Sequence, residues 1–325
     1  MDAIARIKQL GMPRRNDELW TFFPVAKIPA PEFPDACASE EDFSGETDFA
    51  ALLPVAQNAR TMVQNIADGS EEMALLKCNN DFGRTVLNVG KGAKASFEIL
   101  DNKVAHSVSA ERFDINVGEG ADVEIFFANP ANDLPLQFRH FTIEQAAGSS
   151  VRFSSIERGN GISRVSLDCH LRGAGAHFEI RTLNILAGTS ESHHRLHIYH
   201  DSPETTSVQF SRNLLDGNSR ASYDGSVVVG DGCTKANSSQ LVNTILLSED
   251  SAVSVKPVLK IYHDDVECTH GNTVGELDAE QMFYLVSRGI PPEKAKMMLI
   301  SSFARELFYP LPDSPAKKRL LQVLE

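Results

Sequence analysis

A Gly-Ala or Gly-Ser pair recurs through the middle of the chain at an almost constant interval. The step from Gly92 to Gly120 is 28 residues, the step to Gly148 is again 28, and Gly175 follows after 27. Gly232 lies 57 residues further on, which is close to two more periods. A fixed interval of this size is typical of solenoids, in which each unit buries its apolar side chains against the next.

Each repeat begins a short stretch in which apolar and polar residues alternate, the pattern of a β-strand. Two apolar residues stand at the same positions after each glycine: Ala95 and Phe97, Val123 and Ile125, Val151 and Phe153, and Phe178 and Ile180. The sequence therefore predicts a mainly β fold, a β-solenoid in which these positions stack. An antiparallel sandwich whose turns recur by chance is the alternative, and the repeat alone does not exclude it.

The periodicity changes towards both ends of the chain. Near the N-terminus, Ile4, Ile7 and Leu10 suit one face of a helix, residues 29–48 are a linker rich in Pro and acidic side chains, and a helix is expected around 49–67. The predicted regions are an N-terminal helical or irregular region over 1–70, a β core over 71–277 and a C-terminal helical domain over 278–325.

The last region carries the signals of two consecutive helices. Asp278 can cap the first, with Gln281 three positions later in capping-box spacing, and Gly289 stands where a glycine ends a helix. Pro291 and Pro292 suit the first turn of the second helix. The Met and aromatic side chains that follow serve either as core or as a groove for a partner, and both remain open.

Charge and composition exclude several functions. The net charge is −13 and no basic face is visible, so we expect no nucleic-acid binding. No apolar run approaches the length of a membrane span, and we expect no membrane binding. The N-terminus lacks the apolar core of a secretory signal, and the five cysteines are widely spaced with no Cys-x-x-Cys, which favours a cytoplasmic protein with reduced thiols.

The stretch IYHDDVECTHGNTVGELD, residues 261–278, concentrates residue types that ligate metals. On a strand, Cys268 and His270 would share a face and His263 would lie on the other. Two convergent ligands are too few for a closed tetrahedral site. Three interpretations therefore remain: a self-contained metal site, a site completed by another chain, and a polar junction between strand and helix.

Other candidate chemistry is weaker. In residues 192–207, His194 and His200 fall on one strand face and His193 and His197 on the other, which argues against a single four-histidine site. No phosphate-binding loop and no Gly-x-Ser-x-Gly motif occurs. The adjacent Asp264 and Asp265 resemble the acids of solenoid enzymes that act on polysaccharides, which keeps a carbohydrate-active enzyme as an alternative.

Residues 256–303, KPVLKIYHDDVECTHGNTVGELDAEQMFYLVSRGIPPEKAKMMLISSF, are similar to the terminal signature of the SufB/SufD family of the SUF iron–sulfur cluster assembly system. HDSPETTS and LLDGNSRASYDGSVVV, within 200–229, are similar to the preceding coils of that family. PRRNDELW at 13–20 weakly resembles its N-terminal segment. The Cys-Thr-His-Gly form of the signature favours the SufD type.

This resemblance implies a right-handed parallel β-helix between helical ends, and a non-catalytic scaffold subunit rather than an enzyme. It implies two partners: a SufB-like scaffold subunit, and a SufC-like ABC ATPase that docks on the C-terminal helices. It further implies that a transient iron–sulfur cluster forms where the two β-helix subunits meet, with no cofactor held stably by the lone chain. The residues expected at the ATPase dock are Phe283, Tyr284, Arg288, Gly289, Met298 and Phe303.

By the same resemblance, His270 is the ligand at the shared cluster site, and Cys268 is an auxiliary ligand at best. Asp265 or Glu267 would orient the imidazole. Cys233 lies in VGDGCTKA, which superficially resembles the SufB scaffold-cysteine motif, but we interpret it as a solenoid residue. If Cys233 is instead a ligand, the chain could act as a self-sufficient scaffold in the homodimer that we expect for the isolated protein.

Overall fold

In the computed structural model, parallel strands wind back and forth between two sheets. The structure describes residues 1–78, 81–101, 108–129, 136–158 and 161–324. The strands are β1 Thr61–Ile66, β2 Glu71–Cys78, β3 Phe82–Val89, β4 Lys94–Asp101, β5 Ser109–Val117, β6 Asp122–Asn129, β7 Leu136–Gln145, β8 Ser150–Glu157, β9 Ile162–Leu171, β10 His177–Leu186, β11 Glu191–His200, β12 Thr206–Leu215, β13 Arg220–Val229, β14 Ala236–Leu246, β15 Ala252–Ile261 and β16 Val266–Gly275. The α-helices are α1 Ala3–Leu10, α2 Phe49–Ala56, α3 Ala279–Ser287, α4 Pro292–Glu306 and α5 Pro315–Val323.

The odd-numbered strands form one sheet, here sheet A, and the even-numbered strands form the other, sheet B. Within each sheet every strand pairs in parallel with the strand two elements away, for example β10 with β8 and β12. This pattern confirms the mainly β solenoid flanked by helices. It excludes the antiparallel sandwich, because hairpin-connected neighbours would pair with opposite direction.

The glycine repeat marks the turn that leads into sheet B. Gly92, Gly120, Gly148 and Gly175 all have a positive φ, between 63° and 69°, which glycine adopts without strain. The amide of Gly148 donates to the carbonyl of Ala174 in the next coil, and that of Gly175 to Pro203. In the next two coils the equivalent turn positions are Glu204 and Lys235, which also have a positive φ. The spacing had predicted Gly232 for the second of these positions.

The core lies between the sheets, where equivalent positions of successive coils stack. Ala95, Val123, Val151 and Phe178 are register partners on successive strands of sheet B, and all are buried. The column of Phe97, Ile125, Phe153 and Ile180 runs beside it. Each coil therefore buries apolar area only because its neighbours cover it, as expected for a solenoid.

The N-terminal segment covers the outer face of sheet A. Trp20, Phe23 and Phe49 pack with Phe138 of β7 in one apolar cluster. The helix expected over 49–67 is shorter than predicted: it ends at Ala56, and the chain then enters β1 at Thr61, ahead of the expected start of the β core at 71. Pairing with β3 overrides the weak helical tendency there.

Of the C-terminal helices, α4 and α5 pack against sheet B, and α3 packs on α4. Asp278 caps α3 by accepting hydrogen bonds from the amides of Glu280 and Gln281, as predicted. Gly289 ends the helix at φ 85°, and the Ile290 amide bonds back to Leu285. The second half of α4 packs on outward side chains of sheet B in an apolar cluster. In the described part of the chain, no helix combines the length and apolar character needed to cross a membrane.

Candidate functional site

The last coil, formed by β15 and β16, ends the solenoid with unpaired strand edges. β15 pairs with β13 and β16 pairs with β14, and no described strand pairs with their other edges. Large apolar side chains around this end are exposed, among them Ile261, Tyr262 and Val274. Exposed strand edges with apolar neighbours are templates for pairing with another chain.

His270 stands on β16, on the face that the strand turns towards the solenoid interior. Residues 266, 268 and 270 alternate onto this face, and Val266 and Cys268 pack in the apolar cluster that closes the coil. In register, Cys268 is opposite Ser238 and His270 is opposite Gln240 of β14. Cys268 and His270 therefore share a face, as predicted, and His270 is exposed because the described residues form no further coil beyond β16.

Two thiols lie in the apolar cluster at this end of the solenoid, and burial raises the pKa of both Cys233 and Cys268. Cys233 is almost fully buried in the turn after β13, and its Sγ donates to the carbonyl of His200 at 3.1 Å. A thiol must lose its proton to ligate a metal. Among the described residues, no group of three or more His, Cys, Asp or Glu side chains is arranged to hold a metal ion.

The acidic residues near His270 point elsewhere. Glu267 lies on the outer face of β16, where its Oε2 accepts a hydrogen bond of 3.1 Å from Asn237. Asp265 is exposed in the turn before the strand, and its backbone carbonyl accepts from the amide of Lys235 at 2.7 Å. Asp264 is exposed in the same turn. The structure therefore brings neither Asp265 nor Glu267 onto the face of β16 that carries His270.

The histidines of β11 divide between the two faces as the sequence predicts. His193 bonds Ser222 and Glu191 on the outer face, and His197 accepts from Arg195 there. His200 faces inwards, between Thr205 and Ser207 at 2.8 Å each. Inward-facing His194 is buried, and burial lowers its pKa to about 4. The arrangement does not form a four-histidine site.

A polar column inside the last coils was not predicted from the sequence. Along sheet B, the position of Ile180 in β10 becomes Gln209 in β12, Gln240 in β14 and His270 in β16. Tyr223 donates from its hydroxyl to Gln209 Oε1 at 2.7 Å across the interior. The signal available in the sequence was the replacement of an apolar repeat position by Gln, Gln and His over the last three coils.

The helical hairpin of α3 and α4 presents a second exposed surface. Phe283 is 75% exposed, Tyr284 57% and Met298 43%. Met297, which was not among the residues predicted for this surface, is also exposed. Arg288 lies over the Tyr284 ring, with its Cζ 5.3 Å from the centroid. We call Phe283, Tyr284, Met297 and Met298 the hairpin surface.

Phe303, expected at the same surface, lies elsewhere. Its ring lies under Arg212 of β12, with the guanidinium Cζ 4.5 Å from the ring centroid. Arg212 also donates to the Phe303 carbonyl and to Glu306. Phe303 therefore anchors α4 to the solenoid, and the prediction that it belongs to an exposed dock does not fit its packing.

A parallel β-solenoid with an open terminal coil and an exposed helical hairpin is thus the architecture that carries these residues. Residues 71–303 match the family model described as "SUF system FeS cluster assembly, SufBD core domain". The chain belongs to this family of iron–sulfur cluster assembly proteins.

Curated relatives agree with this assignment. The chain is 30% identical over 242 residues to the iron–sulfur cluster assembly protein SufD of Escherichia coli. The matched residues make up 72% of this chain and 56% of that protein. It is 29% identical over 156 residues to SufD of Bacillus subtilis, covering 48% of this chain and 36% of that protein. A SufBD family protein of Synechocystis, slr0076, is 31% identical over 182 residues, or 55% of this chain and 40% of that protein. The chain spans about half the length of the relatives that it matches.

Proposed function

We propose that this chain is a SufD-like, non-catalytic subunit of an iron–sulfur cluster assembly scaffold. In this role His270 supplies one ligand to a nascent cluster, and a SufB-like subunit supplies the others across the open end of the solenoid. The cluster is cargo of the assembly and not a resident cofactor of this chain.

The observation that carries the proposal is the position of His270. Its imidazole is exposed on a terminal strand whose outer edge has no described partner, at an end of the solenoid where exposed apolar side chains would be covered by a second chain. One histidine cannot hold a cluster, and the described residues contain no group of three or more His, Cys, Asp or Glu side chains that could hold a metal ion. A second chain that pairs with this end would complete the ligand set.

The hairpin surface supports the second part of the proposal, docking of a SufC-like ATPase. Phe283 and Tyr284 are aromatic and exposed, and Arg288 lies over the Tyr284 ring. Aromatic and Arg side chains dominate binding energy at protein interfaces. The chain itself carries no phosphate-binding loop. Nucleotide hydrolysis in the assembly would therefore come from the partner.

The test is an anaerobic purification of the tagged chain from its own cells, in wild-type form and as His270→Ala. We expect a SufB-like chain and an ABC ATPase to co-purify with both forms, and iron and sulfide to be bound by the wild-type assembly alone. His270→Ala assemblies with a full iron content would refute the role of His270. Recovery of the chain without either partner would refute the subunit role.

A self-sufficient homodimer remains the second candidate, because Cys233 and Cys268 lie in one cluster at the same open end. It would give a purified lone chain that takes up a cluster on anaerobic reconstitution and loses it in Cys233→Ser. The burial of Cys233 and its hydrogen bond to His200 favour the heteromeric scaffold.

A further inference from the structure

Gln240 lies next to His270 in the direction along the solenoid axis. The two residues are register partners on β14 and β16, and both stand on the face turned towards the interior. Neighbouring strands are separated by about 4.8 Å, so side chains of register partners on one face are within reach of each other. On the other side of His270 no described strand pairs with β16, which is the last strand of the sheet.

The side-chain amide of Gln240 is buried without a partner. Gln240 is 2% exposed, and neither its Oε1 nor its Nε2 has a hydrogen-bond partner among the described residues. Leaving buried polar atoms unsatisfied is destabilising, because the hydrogen bonds that they lose to water on burial are not replaced. A glutamine at this repeat position is therefore unfavourable for the fold unless a neighbouring group completes its hydrogen bonds.

Gln209 of β12 is the register partner of Gln240 on the side away from β16. Gln209 Oε1 already accepts the Tyr223 hydroxyl, and a carbonyl oxygen has a second lone pair. Gln240 Nε2 can donate to that oxygen, which turns Gln240 Oε1 towards β16. On that side the register partner of Gln240 is His270.

We infer that Gln240 is the positioning residue of His270: its Oε1 accepts the N–H of one ring nitrogen, which leaves the lone pair on the other nitrogen for a metal. Ligating histidines generally donate their second N–H to such an acceptor, which fixes the tautomer and the ring orientation. This inference rests on the proposed function and replaces Asp265 and Glu267 in the orienting role.

The test uses the lone full-length chain with ¹⁵N-labelled histidine and needs no partner or cluster. Comparison with His270→Gln identifies the His270 signals among those of the ten histidines. We expect the neutral His270 ring to populate one tautomer in the wild type and a mixture in Gln240→Leu. Ser238→Ala is the matched control: it removes a buried hydroxyl from the same face of β14 but lies opposite Cys268, and it should leave the tautomer unchanged.

In the purified assembly, Gln240→Leu should lower the affinity for iron roughly 10- to 100-fold, the usual effect of removing such an orienting partner. A mixed tautomer in the wild type, an unchanged tautomer in Gln240→Leu, or an equal change in Ser238→Ala would overturn the inference. The tautomer of His270 in the wild type can overturn the inference even if Gln240→Leu fails to fold. If the tautomer responds to Gln240 while His270→Ala assemblies keep their iron, the positioning contact exists and the proposed function fails instead.

Discussion

Arg164 and Asp48 form an ion pair that is almost fully enclosed between the N-terminal segment and sheet A. Arg164 Nη1 lies 2.9 Å from Asp48 Oδ2, and the side chains are 2% and 3% exposed. The guanidinium also lies over Trp20, with Cζ 4.0 Å from the ring centroid, and Asp48 caps α2 through the amide of Ala50. One pair therefore joins a helix start, an aromatic cluster and the solenoid.

Removing one partner of this pair should weaken the fold strongly. We expect Asp48→Asn to lower the free energy of unfolding by about 3–5 kcal/mol, because Arg164 would remain charged and buried without its counterion. Urea denaturation of the full chain measures the change. The matched control is Glu18→Gln, also in the N-terminal segment. It breaks an exposed 3.5 Å ion pair with Lys256 of β15 and should cost less than about 1 kcal/mol. Equal effects of the two changes would contradict the importance assigned to burial.

The same pair contributes to acid sensitivity. Burial by itself would raise the pKa of Asp48, but the charge of Arg164 outweighs it and holds that pKa below the ordinary value of 3.8. The resulting stabilisation is present above about pH 4 and is lost as the pH falls through the pKa of the folded state. Asp48→Asn should therefore show less loss of stability than the wild type when urea denaturation at pH 5 is compared with that at pH 3.

The buried residue His194 should make the stability of the fold depend on pH at higher pH values than Asp48 does. Burial lowers the pKa of His194 from 6.5 to about 4, so the unfolded chain binds a proton in this interval and the folded chain does not. Stability due to neutral His194 is therefore complete above pH 6.5 and falls as the pH decreases towards 4. Lowering the pH from 7.5 to 5 should cost about 2 kcal/mol for this residue. In His194→Phe, urea midpoints at these two values should lie closer together than in the wild type, and an unchanged difference would contradict the assignment.

Gly225 leaves the space that the Tyr223 ring occupies. A Cβ at position 225 would stand 2.2 Å from Tyr223 Cε1, so Gly225→Ala forces the ring to move from Gln209. We expect a loss of about 1–3 kcal/mol, the usual effect of overpacking a core. The loss should be smaller when Tyr223→Leu is already present, as a double-mutant cycle would show. Gly271→Ala is the control, since its Cβ would meet Leu241 at an ordinary 3.5 Å.

The hairpin surface can be tested without disturbing the solenoid. Because Phe283 and Met298 are largely exposed, Phe283→Ser with Met298→Ser should leave the urea midpoint unchanged and reduce recovery of the co-purifying ATPase at least 10-fold, as loss of central interface side chains does. Met73→Ser is the control, an equally exposed apolar residue on β2 at the opposite end of sheet B. If both variants retained the ATPase, the dock would lie elsewhere.

The sequence was sufficient to predict the solenoid because its coils repeat one physical pattern. Gly120 and Gly148 mark turns that need a positive φ, and Val123 and Val151 mark the inward positions that follow. The capping of α3 by Asp278 and its end at Gly289 were likewise predictable, since both depend on local backbone hydrogen bonds. The strands of sheet A were harder to recognise, because several of their outward positions, such as Arg164, are polar residues buried under the N-terminal segment.

What the sequence determined by itself was therefore local and periodic: the turns, the alternation, the helix ends, and a terminal signature that includes His270. The tertiary structure decided which groups meet. It placed Gln240 beside His270 although 30 residues separate them, turned Glu267 outwards to Asn237, and packed Phe303 under Arg212. Such contacts depend on strand register and on which coil is last, because a side chain at the open end has a neighbour on one side only. Neither the strand register nor the identity of the last coil can be derived from residue spacing along the chain.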